Sequence, residues 1–303
     1  MGFTKAIREE VPLLISLSGT SGSGKTFSGL LLAAGLAGPN GRVGMIDAEN
    51  KRGSLYADDP LIMKALPQGY ERSDIFAPFT PKSYIAQLVD AERAGITVCL
   101  IDSTSHEWEG EGGCCDIAED HKLRGMPNWA LAKREHKRFS LYCQSSKMHI
   151  IFCLRARDKV KILKDANGKE QIVPQGIQPI AEKNFVFEML LSLGFDEATH
   201  HAYGIKVPGM LAPFFPGNQL LTEEHGEKIW QWNQTGAKAD GFELVKKRAQ
   251  AAAQSGVASY QAFFGSLTAV QKRSLVDTIH GELKLAAEQS DALAKEQESE
   301  PEA

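Results

Sequence analysis

Eight consecutive residues, Gly19-Thr20-Ser21-Gly22-Ser23-Gly24-Lys25-Thr26, carry the spacing G-x-x-x-x-G-K-[ST] in full. The chemistry asks for each of them. Glycines let the main chain curl until its N–H groups face a single anion. A helix opening at Lys25 turns its positive end to the same place. The lysine then reaches the β- and γ-phosphates of a nucleotide, and the Thr26 hydroxyl ligates Mg²⁺. The expected ligands are therefore ATP and Mg²⁺, cradled by residues 19–26. Sequence context agrees: the apolar run Leu13–Leu17 leads into the motif, and the Leu/Ala-rich stretch Lys25–Leu36 leads out of it. A Gly/Ser loop with no ligand is the bland alternative, and it explains neither flank.

Two acids sit where such a loop would need them. Val98-Cys99-Leu100-Ile101-Asp102-Ser103 is an apolar strand ending in a carboxylate, and Asp102 is expected in the Mg²⁺ shell. A helix N-cap aspartate is the competing reading. Ile46-Asp47-Ala48-Glu49 closes the strand after the Lys25 helix, at the sheet edge that faces a ligand crevice. Glu49 there can orient an attacking water, against the alternative of a solvated loop acid. His106-Glu107-Trp108-Glu109 follows the Asp102 strand. The pattern favours a polar loop with Trp108 packed on the core, with Glu107 a reserve candidate for general base.

Positioning these groups takes a sheet. From residue 13 to about 155, strand-like runs (Leu13–Ser18, Arg42–Asp47, Asp74–Ala77, Thr97–Asp102, His149–Leu154) alternate with helical ones (Lys25–Leu36, Pro81–Ala94, Asn128–Ser146). That alternation implies an α/β fold with a parallel sheet and helices on both faces. Beyond it, Asn167-Gly168 signals a hairpin between Val160–Leu163 and Gln171–Pro174. Phe185–Phe195 and Ala198–Val207 read as further, antiparallel strands, and Thr222–Gln231 as a short helix. Composition shifts near Gly236 toward Ala, Lys and Glu, and Thr268-x-x-Gln271 is a capping-box signature. The expected organisation is a core over 1–235, a helical appendage of two or three helices over 240–290, and an acidic disordered tail over 291–303.

Bulk properties bound the rest. The 303 residues are 43% hydrophobic and 24% charged, with net charge −4, so nucleic acid is not held by bulk charge. No apolar run approaches the roughly 18 residues of a membrane span. Five cysteines show no zinc-site spacing, and a reduced, cytoplasmic setting fits them.

At this point a family resemblance is plain. Met45-Ile46-Asp47-Ala48-Glu49 followed by Tyr56-Ala57 resembles the segment after the phosphate-loop helix of bacterial RecA recombinases. The resemblance implies that Glu49 is the catalytic base and that Tyr56 stacks on adenine. Leu100-Ile101-Asp102-Ser103 resembles that family's metal-binding strand, and Ile151–Arg157 the strand that carries its γ-phosphate sensor. The sensor is usually glutamine; Arg155 stands in its place, and an arginine also suits phosphate. Lys206, in Ile205-Lys206-Val207, matches loosely the lysines that reach a neighbouring subunit's nucleotide. The whole layout more closely resembles phage- and prophage-encoded RecA-core ATPases, through Ile101–Trp108 and Leu154–Lys159.

The resemblance covers about residues 10–235 and implies a RecA-like P-loop core with a mostly parallel central sheet flanked by helices. It further implies ATP hydrolysis, assembly into a homo-oligomer and a part in phage DNA recombination or replication in the host cytoplasm. Single-stranded DNA would meet the 156–180 hairpin, where Arg157, Lys159, Lys161, Lys164 and Lys169, with Arg155 just before them, outnumber the acids; a solvated charged ribbon is the alternative. A nucleotide-dependent adaptor with little turnover and a P-loop small-molecule kinase are the alternative functions.

Overall fold

The computed structural model describes residues 6–164, 170–238, 241–267 and 269–299. The first half runs β1 (Glu9–Glu10), β2 (Leu14–Gly19), α1 (Lys25–Ala37), β3 (Val43–Asp47), α2 (Pro60–Ala65), β4 (Glu71–Asp74), α3 (Pro81–Arg93) and β5 (Val98–Asp102). Then follow α4 (Ser105–Glu109), α5 (Cys114–Asp120), α6 (Trp129–Ser145), β6 (His149–Lys164), β7 (Glu170–Pro179), β8 (Leu191–Phe195) and β9 (Ala202–Lys206). The chain finishes with α7 (Glu223–Gln234), β10 (Ala237–Lys238), α8 (Gly241–Gln254), α9 (Val257–Ser266), α10 (Ala269–Val276) and α11 (His280–Ser299).

The central sheet has the order β4-β3-β5-β6-β2-β8-β9, with β7 paired to β6. Its pairings are parallel except β6–β7 and β8–β9. Every residue of β2, β3 and β5 is buried, as strands covered on both faces must be. Side chains alternate between the two layers with the period of a strand. Ile15, Leu17, Val98, Leu100, Ile151 and Cys153 face α1 and α7, while Cys99, Ile101, Ile150, Phe152 and Leu154 face α3 and α6. The expected mostly parallel, helix-flanked α/β core is therefore what the chain forms.

Local signals explain the flanking helices. Thr80 caps α3 by accepting the Ser83 N–H, with Pro81 in the first turn. Asn128 caps α6, whose buried stripe Ala132, His136, Phe139, Ser140 and Cys143 has helical spacing. α1 and α7 approach backbone to backbone at two glycines. A Cβ on Gly35 would fall 2.0 Å from the Glu223 carbonyl oxygen, and one on Gly226 2.2 Å from that of Leu32.

Several expectations shift. The stretch Phe185–Phe195 is not one strand, and its strand is antiparallel to β9 only. Phe185 turns into an aromatic cluster with His136, Phe139 and Phe152, so β8 begins only at Leu191 and joins β2 in parallel. The third strand is Glu71–Asp74 rather than Asp74–Ala77, because Asp47 pairs with Asp74 at its end. The appendage has four helices, α8–α11, and α11 runs to Ser299, so residues 291–299 are helical rather than a disordered tail. The Asn167-Gly168 turn and Thr268 lie outside the described residues.

α8–α11 share a core of their own, built on Val245, Ala249, Tyr260, Leu275 and Leu283. It docks on the sheet domain through Arg248, which donates to Glu92, itself accepting the Ser146 hydroxyl at 2.8 Å. No helix among the described residues is long and apolar enough to cross a membrane.

At the opposite end of β2 from the phosphate loop, the Leu13 N–H donates to His149 Nδ1 at 3.0 Å. Burial pushes the His149 pKa down to about 4. A depressed folded-state pKa means that stability is present above the unfolded value near 6.5 and is lost as pH falls toward 4. The expected loss is roughly 2–3 kcal/mol. Urea unfolding at pH 7 and pH 4.5 checks it, with His149→Gln showing a shallower pH dependence than the wild type.

Candidate active site

The parallel register aligns the C-terminal ends of β2, β3 and β5 with the middle of β6. Asp47 pairs with Asp102, Asp102 with Cys153, and Gly19 with Arg155 across β2 and β6. The groups picked out in the sequence therefore share one sheet edge, the edge from which α1 departs.

The phosphate loop itself has the expected form. Gly24, with φ of 88°, occupies the left-handed region at the N-cap of α1, which lets the loop curl before the helix begins. Lys25 is buried, and its Nζ donates to the Thr20 carbonyl at 2.6 Å, closing over the loop. The Thr26 hydroxyl donates to Asp102 Oδ2 at 2.5 Å. Burial raises the Asp102 pKa to about 6; the Thr26 hydroxyl opposes that rise, Glu49 adds to it and Lys25 opposes it. A buried carboxylate of this kind, with a threonine hydroxyl on one oxygen, suits a hydrated divalent cation better than it suits isolation. These residues fit Mg²⁺. Behind them, the Asp102–Ser103 peptide is cis, and the buried Tyr84 hydroxyl donates to the Ser103 carbonyl at 2.9 Å.

Asp47 serves the backbone. Its carboxylate accepts the Glu49 N–H at 2.8 Å and the Gly53 N–H at 2.7 Å, fixing the turn that presents Glu49. Glu49 and Arg155, read separately in the sequence, meet. Arg155 Nε donates to Glu49 Oε1 at 2.8 Å and Nη2 to Glu49 Oε2 at 2.5 Å, a bidentate pair bridging the turn after β3 and the middle of β6. The Glu49 side chain is 12% exposed and that of Arg155 45%. His106 lies near this pair; burial, then the Arg155 charge, lowers its pKa, so the imidazole is neutral at pH 7.

The other expected residues have partners within the chain. The Tyr56 ring leans on Phe27, with centroids 6.1 Å apart, and its hydroxyl sits beside Thr26 and Asp102, on the cation side of the loop. Lys206 is committed to its own chain, donating to the Phe187 and Met189 carbonyls at 2.8 and 2.5 Å. Glu107 turns inward and away from Glu49. It accepts from His136 Nδ1 at 3.0–3.1 Å and from the Cys114 thiol at 3.3 Å. Burial alone would lower the His136 pKa, but the Glu107 carboxylate outweighs it and the pKa rises. In the proposed DNA hairpin, Arg157 is paired with Glu109, so it joins Arg155 as a cation already neutralised within the chain.

The sequence reading missed the β8–β9 turn. Thr20 donates its hydroxyl to Glu197 at 2.8 Å, and His200 sits over Gly24, where an added Cβ would be 3.4 Å from the His200 Cβ. Only the pairing of Ser18 with Gly194 brings this turn to the loop, and no local motif marks it.

No family model matches the chain, and no curated protein does. Among solved structures, a KaiC-like protein from the hyperthermophilic archaeon Pyrococcus horikoshii OT3 is similar, at 10% identity. The match covers 68% of this chain and 89% of that one, with a TM-score of 0.38.

The Glu49–Arg155 pair yields a measurable coupling. Arg155→Met strands a mostly buried carboxylate, whereas Arg155→Met with Glu49→Gln does not. A double-mutant cycle in urea should give about 1–2 kcal/mol, discounted for the exposure of Arg155. Additive single effects would mean that the pair contributes nothing to stability.

Proposed function

We propose that this chain is a RecA-like P-loop ATPase. One observation carries the reading: the Thr26 hydroxyl and the Asp102 carboxylate, 76 positions apart in sequence, are hydrogen-bonded at the mouth of a glycine loop closed by Lys25. A loop serving only as a turn has no need of that convergence.

In this reading the amides of residues 19–26 and Lys25 hold the triphosphate, and Thr26 and Asp102 hold Mg²⁺, which supplies charge neutralisation on the phosphate oxygens. Glu49 accepts the proton of the attacking water. Arg155 neutralises charge developing on the transferred phosphoryl group. The bidentate pair constrains both roles: Arg155 occupies both Glu49 oxygens, so it must turn to phosphate before Glu49 can hold the water. His106, neutral beside the pair, lines the path of the water. Tyr56 acts on Thr26, steadying the cation side, and the β8–β9 turn with His200 covers the loop.

Beyond the site, we assign 1–235 to the ATPase core and 240–299 to the helical appendage. We place the protein in the host cytoplasm as a homo-oligomeric, phage-type recombination or replication ATPase acting on single-stranded DNA. The same ion pair favours a second reading, a nucleotide-gated adaptor with little turnover, since it blocks the base in the resting chain.

Lys25→Ala should abolish ATP binding and hydrolysis. Glu49→Gln should keep binding within severalfold while turnover falls by about 10²–10⁴. A phosphate-release assay with and without single-stranded DNA, paired with nucleotide titration, checks both. Turnover unchanged in Glu49→Gln removes Glu49 as base, and no turnover in the wild type under either condition favours the adaptor.

A further inference from the structure

The post-Asp102 segment holds a second cluster of chemically capable side chains, and the ATPase mechanism uses none of it. Glu107 on α4, Cys114 on α5 and His136 on α6 are all buried, and their donor atoms lie within 4.8 Å of one another. The Glu107 carboxylate is 3.0–3.1 Å from His136 Nδ1 and 3.3 Å from Cys114 Sγ. Around a zinc ion, bonds of about 2.0–2.3 Å at tetrahedral angles set ligand atoms roughly 3.3–3.7 Å apart. The two separations from Glu107 need a widening of only a few tenths of an ångström, and the third lies within 4.8 Å.

We propose that Glu107, Cys114 and His136 form a binding site for a zinc-type divalent transition metal. The donor set decides the class of ion. A thiolate and an imidazole beside one carboxylate select zinc or cobalt over magnesium or calcium, which take oxygen ligands. Trp108 and Phe185 meet the His136 ring edge-on, at centroid distances of 5.6 and 5.1 Å, and fix its plane. Three protein ligands leave the fourth tetrahedral position to a water.

Without metal, the Glu107 carboxylate is hydrogen-bonded to His136 Nδ1 and to the Cys114 thiol. A dication would take the place of those hydrogens, with imidazole, thiolate and carboxylate as its ligands. The three ligands come from three helices that otherwise meet through small contacts, chiefly Cys114, Ala118 and Ala132 with Trp108 and Ile117 packed on them. The ion would clip α4, α5 and α6 together just behind Asp102, in a place no sequence spacing indicates.

The test uses the full chain, stripped with chelator, reloaded with Co²⁺ or Zn²⁺ and dialysed. The wild type should retain about one equivalent, and the cobalt form should show a thiolate-to-cobalt charge-transfer band in the near ultraviolet. Cys114→Ser, a near-isosteric change, should lose the band and most of the metal while keeping its circular dichroism. Asp102→Asn, which alters the cation side of the phosphate loop, should keep both. Absence of the band in the wild type, or metal retained equally by Cys114→Ser, overturns the proposal. Should Cys114→Ser fail to fold, His136→Gln replaces it with the same two readouts.

Discussion

The site depends on the insertion of β2 between β6 and β8. That strand is hydrogen-bonded in parallel on both sides and buried along its length, so its C-terminal end is fixed to within the spacing of a ladder. Because Gly19 pairs with Arg155 and Ser18 with Gly194, the loop that follows is flanked by the middle of β6 and the end of β8. On one side it meets the Glu49–Arg155 pair, on the other Glu197 and His200. A slip of one residue in either pairing would reverse the faces of β2 and remove the loop from its partners.

The charges at this edge are arranged in opposition rather than left open. Lys25 rests on the Thr20 carbonyl, Asp102 on the Thr26 hydroxyl, and Arg155 on Glu49. For the buried Lys25 and Asp102 such partners are needed, since an unpaired buried charge costs several kcal/mol. The pairings also hold these groups at one edge of the sheet.

Much of this was legible in the sequence. The glycine spacing marks the loop because only a left-handed backbone at positions such as Gly24 gives the needed curl. Asp102 was legible from the apolar strand it ends, and Glu49 from its place after the next strand. Tyr56, Lys206 and Glu107 were harder. Each carries a side chain long enough to reach more than one partner, and what it reaches depends on packing: Phe27 for Tyr56, two carbonyls for Lys206, His136 and Cys114 for Glu107. The tail over 291–299 was misread because charge composition signals solvation, while the helix α11, which packs on α8 and α9, continues through it.

The sequence by itself determined the local chemistry: the curl of residues 19–26, the helix that follows it, and the alternation of apolar strands that must be buried on two faces. These are short-range consequences of backbone freedom and of side-chain period. Tertiary structure alone decided which distant groups meet. The Arg155–Glu49 pair spans 106 positions, the Thr20–Glu197 contact 177 and the Glu107–His136 pair 29. Strand order and register set those meetings, and they are properties of the assembled sheet that no single stretch of chain encodes.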